Sequence, residues 1–166
     1  MHLTKGVPRL LALILFTCLC MNTLQAQTAT TTYTDSFNGG GTRSKTESKI
    51  ILTGKVGSAL PGYLALIINF NDATGAVERG DWTLTVTRQN GDKSSSETGK
   101  LAGTISGGTV MFDQQGAVAS VSDLQLTIKS GTGTYANVIT GNGGFAGATQ
   151  NVANTPPFAG TLTFTF

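Results

Sequence analysis

Apolar residues in this chain recur mainly at every second position, in short runs separated by glycine, asparagine, aspartate and proline. That is the pattern of strands with one buried face. Residues 82–88 show it most plainly: Trp82, Leu84 and Val86 alternate with Thr83, Thr85 and Thr87, so one side suits a core and the other water. Asn90-Gly91 follows as a tight-turn signal. Residues 63–70 place Leu64, Leu66, Ile68 and Phe70 on one face and Tyr63, Ala65 and Ile67 on the other, which predicts a strand covered on both sides.

The same alternation continues elsewhere. A first strand starts near Thr30, carries Tyr33 and Phe37, and is expected to break at Gly39-Gly40-Gly41; a second covers 46–53. Strands at 98–106 and 109–112 are separated by Gly107-Gly108, which predicts a hairpin. Residues 117–129 set Leu124, Leu126 and Ile128 on one face with Val121 out of phase, the signature of a bulge. Residues 151–157 read as a loop, since Pro156 and Pro157 cannot donate ladder bonds. Phe158, Leu162, Phe164 and Phe166 then share one parity, so the last strand is expected to be pinned into the core.

Eight to ten short strands joined by tight turns predict an all-β fold, a small antiparallel β-barrel of about 8 strands, with a β-sandwich as the runner-up. Several runs are shorter than the roughly 9–11 residues a tilted membrane strand needs, which weighs against an outer-membrane barrel.

Composition changes the picture once the N-terminus is set aside. Residues 1–26 carry Lys5 and Arg9 ahead of an apolar run of about a dozen residues, the order of a signal peptide. The run is short of the roughly 20 residues of a membrane span, so no stable transmembrane anchor is expected. Cleavage after Ala26 leaves residues 27–166 as a single all-β domain, secreted or periplasmic. A lipoprotein reading would use Cys18 or Cys20, but Thr17 and Leu19 precede them where a small residue is wanted.

The precursor's net charge of +2 comes from that leader. Without Lys5 and Arg9 the domain holds nine basic and nine acidic residues. His2, Cys18 and Cys20 leave too, so the domain has no imidazole and no thiol. This excludes His- or Cys-based triads, Cys/His zinc sites and disulfides. The domain keeps 21 of the 22 glycines and 24 threonines, which favour strands, turns and close backbone approaches over helix.

Candidate chemistry is sparse. The carboxylates Asp35, Glu47, Asp72, Glu78, Asp81, Asp92, Glu97, Asp113 and Asp123 mostly stand beside turn residues, and their default role is solubility. Asp81 and Asp123 sit at strand starts, where capping or turn formation is the plain reading. The segment NDATGAVE lacks the regular ligand spacing of a calcium loop, and no glycine cluster has the Lys-Ser/Thr ending of a phosphate cradle, so no cofactor or metal is expected. Arg43, Lys45 and Lys49 form only a short basic neighbourhood offset by Glu47, which argues against a nucleic-acid partner.

The glycine-rich pieces Gly131-Thr132-Gly133-Thr134-Tyr135-Ala136 and Gly143-Gly144-Phe145-Ala146-Gly147-Ala148, followed by the terminal FAGTLTF, carry a family likeness. They resemble secreted bacterial proteins with an allene-oxide-cyclase-like or dirigent-like β-barrel. The resemblance covers mainly the last 40 residues. It implies a barrel that can enclose an apolar small molecule, with Tyr63, Trp82, Phe112, Tyr135 and Phe145 as the ligand-binding candidates. For each of them ordinary packing is the competing reading. The matching positions are glycines and core residues, which carry shape rather than catalytic roles. Two functional classes follow: a non-catalytic structural, interaction or small-ligand-binding role, with homo-oligomerisation among its forms, and an isomerase or cyclase acting on an apolar molecule inside the barrel.

Overall fold

The computed structural model describes residues 30–44, 46–89, 95–150 and 158–166. Expectations for residues 1–26, for Asn90-Gly91 and for 151–157 lie outside the described residues. The described residues form nine strands: β1 (Thr32–Arg43), β2 (Lys49–Val56), β3 (Gly62–Phe70), β4 (Val77–Gln89), β5 (Ser95–Ser106), β6 (Thr109–Phe112), β7 (Val118–Gly133), β8 (Gly141–Thr149) and β9 (Phe158–Thr165). Each of β1 to β4 pairs antiparallel with the next, β5 pairs with β7, β7 with β8, β8 with β9, and β9 returns to β1. Eight strands thus close an antiparallel barrel, with β6 as the extra one. Closure leaves none of the eight with an open edge to aggregate along.

Alternation along each strand sorts residues between the two sides of the wall. Ile50, Leu52, Leu64, Leu66, Ile68, Leu84, Leu101, Leu126, Ile128 and Leu162 are among the buried inner set. Thr34, Ser36, Lys55, Asp81, Thr83, Thr104, Lys129 and Thr161 are exposed on the outside. Apolar inside and polar outside is the reverse of a lipid-facing barrel. Among the described residues no helix is long and apolar enough to cross a membrane.

An eight-stranded barrel is just wide enough for side chains to fill it, and here rings fill it by lying on glycine. Phe145, Gly143 and Gly147 share the inward parity of β8, and Phe158, Gly160 and Phe164 that of β9. A Cβ on Gly147 would fall 2.5 Å from Cε1 of Phe158, and one on Gly143 would fall 2.6 Å from Cδ1 of Phe164. The aromatic-after-glycine spacing therefore has a packing cause: the missing Cβ is the space a neighbouring ring occupies. Gly147→Ala should cost roughly 1–3 kcal/mol by overpacking, read as a lowered urea midpoint, whereas an alanine at outward-facing Gly40, with nothing within 4 Å of its Cβ, should be close to neutral.

Three expectations need correction. β1 runs unbroken through Gly39-Gly40-Gly41, because Gly39 pairs with Gly54 of β2 and the two backbones approach too closely for side chains. Gly107 and Gly108, at φ 65° and 95°, do not form a hairpin. Both edges of β5 are taken by β4 and β7, so the chain jogs at the glycine pair and β6 continues along β7, over Val118–Ser122. The outer side of β3 is uncovered, with Tyr63 50% and Ile67 41% exposed. The bulge in β7 is present: register shifts between Val121 and Leu124, with Asp123 at φ 54°.

Candidate functional site

The five aromatic candidates do not surround one volume. Trp82 is buried at mid-barrel, its ring 4.7 Å from that of Phe164 and its Nε1 donating to the Thr127 carbonyl at 3.3 Å. Phe145 is also buried, edge-on to Phe37 at 5.3 Å and stacked with Phe158 at 6.4 Å. Phe112 and Tyr135 are half-buried against the core at opposite ends of the barrel. Tyr63 is on the outer wall.

The end that holds Tyr135 is closed by the β2–β3 connection. Leu60, 2% exposed, drops into the barrel end, and its backbone N–H donates to Oδ2 of Asp35 at 2.7 Å. The other carboxylate oxygen accepts from the Ser36 N–H at 3.2 Å, and the Gly57 N–H donates to the Ser36 carbonyl at 2.9 Å. Asp35 is the buried charged residue among the described ones, and it serves as a latch for the loop rather than as the soluble turn residue its composition class suggested. Its parity with Tyr33 and Phe37 was the available signal: a carboxylate on the inner face of a strand must find donors.

Beside this plug the rings of Tyr33 and Phe166 stack at 5.0 Å, and Tyr135 meets Phe166 edge-on at 6.2 Å. Burial, with a smaller contribution from Tyr33, raises the Tyr135 pKa above the ordinary tyrosine value. An acid whose pKa is higher when folded keeps its proton longer in the fold. Its contribution is intact below about pH 10 and is lost as pH rises through the folded value. Tyr135→Phe should therefore flatten the fall of stability at alkaline pH, measured as Tm against pH from 9 to 12.

At the opposite end Arg43 bridges to Asp72 at 2.9 Å, and the Ser48 hydroxyl donates to the same carboxylate. The guanidinium lies 4.1 Å from the Phe112 ring centroid and 5.7 Å from that of Phe70. A depression of about 580 Å³ is lined here by Arg43, Thr46, Glu47, Ser48 and Asp72 among others. Its charged side chains are paired: Arg43 with Asp72 inside the depression, and Glu47 with the neighbouring Lys49. Both pairs are partly exposed to solvent, so each contributes little, about 0–1 kcal/mol. Asn71 turns the neighbouring loop by accepting from the N–H groups of Ala73 and Thr74. Among the described residues no cluster of three metal-ligating side chains occurs.

A second depression, of about 530 Å³, lies on the outer wall and is lined by Lys55, Val56, Pro61, Gly62, Tyr63 and Thr87. Here Lys55 stands beside Tyr63 across the β2–β3 pair, and Thr85 beside it across β3–β4. Gly62, next to the ring, lies too close to β4 for a side chain; a Cβ there would run into the Thr85 carbonyl. Among family models, curated proteins and solved structures nothing matches this chain, so its chemistry rests on the geometry of these sites alone.

Proposed function

We propose that this is an exported β-barrel with a non-catalytic role, structural or ligand-binding, that works through its outer wall and rims. The observation that carries this reading is the ring-on-glycine interior. Trp82, Phe37, Phe145, Phe158 and Phe164 fill the barrel with one another, and the buried carboxylate, Asp35, spends both oxygens on backbone N–H groups. The competing reading, an isomerase or cyclase for an apolar molecule, needs interior volume and an inward-facing acid or base that is not already committed. The likeness to allene-oxide-cyclase-like barrels enters this proposal as architecture only.

Trp82 is the chain's one tryptophan and sits at the centre of the interior, so its emission reports on occupancy. Titrating the exported protein with a fluorescent fatty acid such as cis-parinaric acid should give no saturable quenching of Trp82 and no energy transfer from it. Saturable transfer at micromolar ligand would mean that the barrel admits an apolar guest, and the interior-binding reading would replace this one.

A further inference from the structure

We infer that the Tyr63 depression binds an acidic polysaccharide, with a sugar ring laid on the tyrosine face and a carboxylate directed to Lys55. The inference rests on the outer-wall reading and deepens it by naming a site and a ligand class. An aromatic face is the negative pole of the ring quadrupole, so it attracts the polarised C–H groups on one side of a pyranose. Tyr63 is half-exposed on the wall. Pro61 extends the apolar floor beside it, while Thr85 and Thr87 bring hydroxyls to the other flank. Apolar floor with flanking hydroxyls is the mix that a sugar ring, with one C–H face and a polar edge, matches.

Charge selects the class of sugar. Among the described residues Lys55 is the charged residue lining the depression, no carboxylate lines it, and Lys55 has no ion-pair partner. The opposite end of the barrel differs, since its described cations, Arg43 and Lys49, are matched by Asp72 and Glu47. A single cation beside one ring is too little for a nucleic acid, whose affinity depends on neutralising several phosphates. Weak contacts of this kind gain strength when one chain engages several protein copies.

The test is affinity electrophoresis and calorimetry of the exported protein with polygalacturonate, alongside dextran as a neutral glycan and a single-stranded oligothymidylate. Polygalacturonate should retard migration, dextran should do so at least about tenfold more weakly, and the oligothymidylate should not bind. Tyr63→Ala should weaken polygalacturonate binding at least tenfold and Tyr63→Phe less than threefold. Lys55→Gln should weaken binding and reduce its dependence on salt. Circular dichroism should show all three variants folded, since both side chains face solvent. Binding that persists unchanged in Tyr63→Ala would overturn the site while leaving the outer-wall reading intact. Absence of polygalacturonate binding, or tighter binding of the oligothymidylate, would overturn the ligand class. Quenching of Trp82 by the glycan would overturn both readings at once.

Discussion

Trp82→Ala should remove roughly 3–5 kcal/mol of stability. That is a large part of the 5–15 kcal/mol a domain typically has. The ring is 2% exposed, lies against Phe164, and donates from Nε1 to the Thr127 carbonyl. It is also the ring that the wall is shaped to receive. A Cβ on Gly103 of β5 would fall 3.0 Å from Nε1 and would collide with the same Thr127 carbonyl. Truncation therefore leaves a cavity that neighbouring strands cannot close, because Gly103 has nothing to move inward and the ladders on both sides hold the wall in place. Trp82→Phe keeps the contact with Phe164 and loses the hydrogen bond, so its cost should be about 1–2 kcal/mol. Since the variants lack the sole tryptophan, urea unfolding is followed by far-ultraviolet circular dichroism. A loss below 1 kcal/mol for Trp82→Ala would show spare volume at mid-barrel and would reopen the case for an enclosed ligand.

Much of this fold is legible in the period-two pattern. The strand at residues 82–88 has its Trp82, Leu84 and Val86 face inward as the alternation requires, and the phase slip between Val121 and Leu124 is the observed register shift. Two of the three departures turn on glycine. It is more than punctuation: at Gly39, Gly143 and Gly147 it stands inside strands as the counterpart of a ring or a backbone contributed by another segment. Local sequence cannot show which ring that is, since Gly147 answers to Phe158 and Gly103 to Trp82. The candidate site was less legible for a related reason. Parity correctly separates Tyr63 from Leu64, but whether the Tyr63 side is covered depends on what packs outside the wall, and in this barrel nothing described does. Lys55 meets Tyr63 only through strand register, which no spacing along the chain announces.

Asp35→Ala should be the second large loss, about 2–4 kcal/mol. It removes a charge-assisted acceptor and leaves the buried Leu60 N–H without a partner, each worth about 1–3 kcal/mol. Asp35→Asn retains one acceptor oxygen for Leu60, but adds donors beside Gly57, whose Cβ position already lies 2.5 Å from Oδ1 of Asp35. Its cost should be intermediate. If the carboxylate acts by seating Leu60 in the barrel end, the two residues are energetically coupled. Asp35→Ala and Leu60→Ala should then fall short of additivity by about 0.5–3 kcal/mol in a double-mutant cycle. Limited proteolysis offers a local readout: loosening the latch should expose the connection between β2 and β3 to cleavage before global unfolding, while Trp82→Ala should not favour that site. Additive losses with no new cleavage would mean that Asp35 stabilises β1 alone, and that Leu60 holds its place by apolar burial without help from the carboxylate.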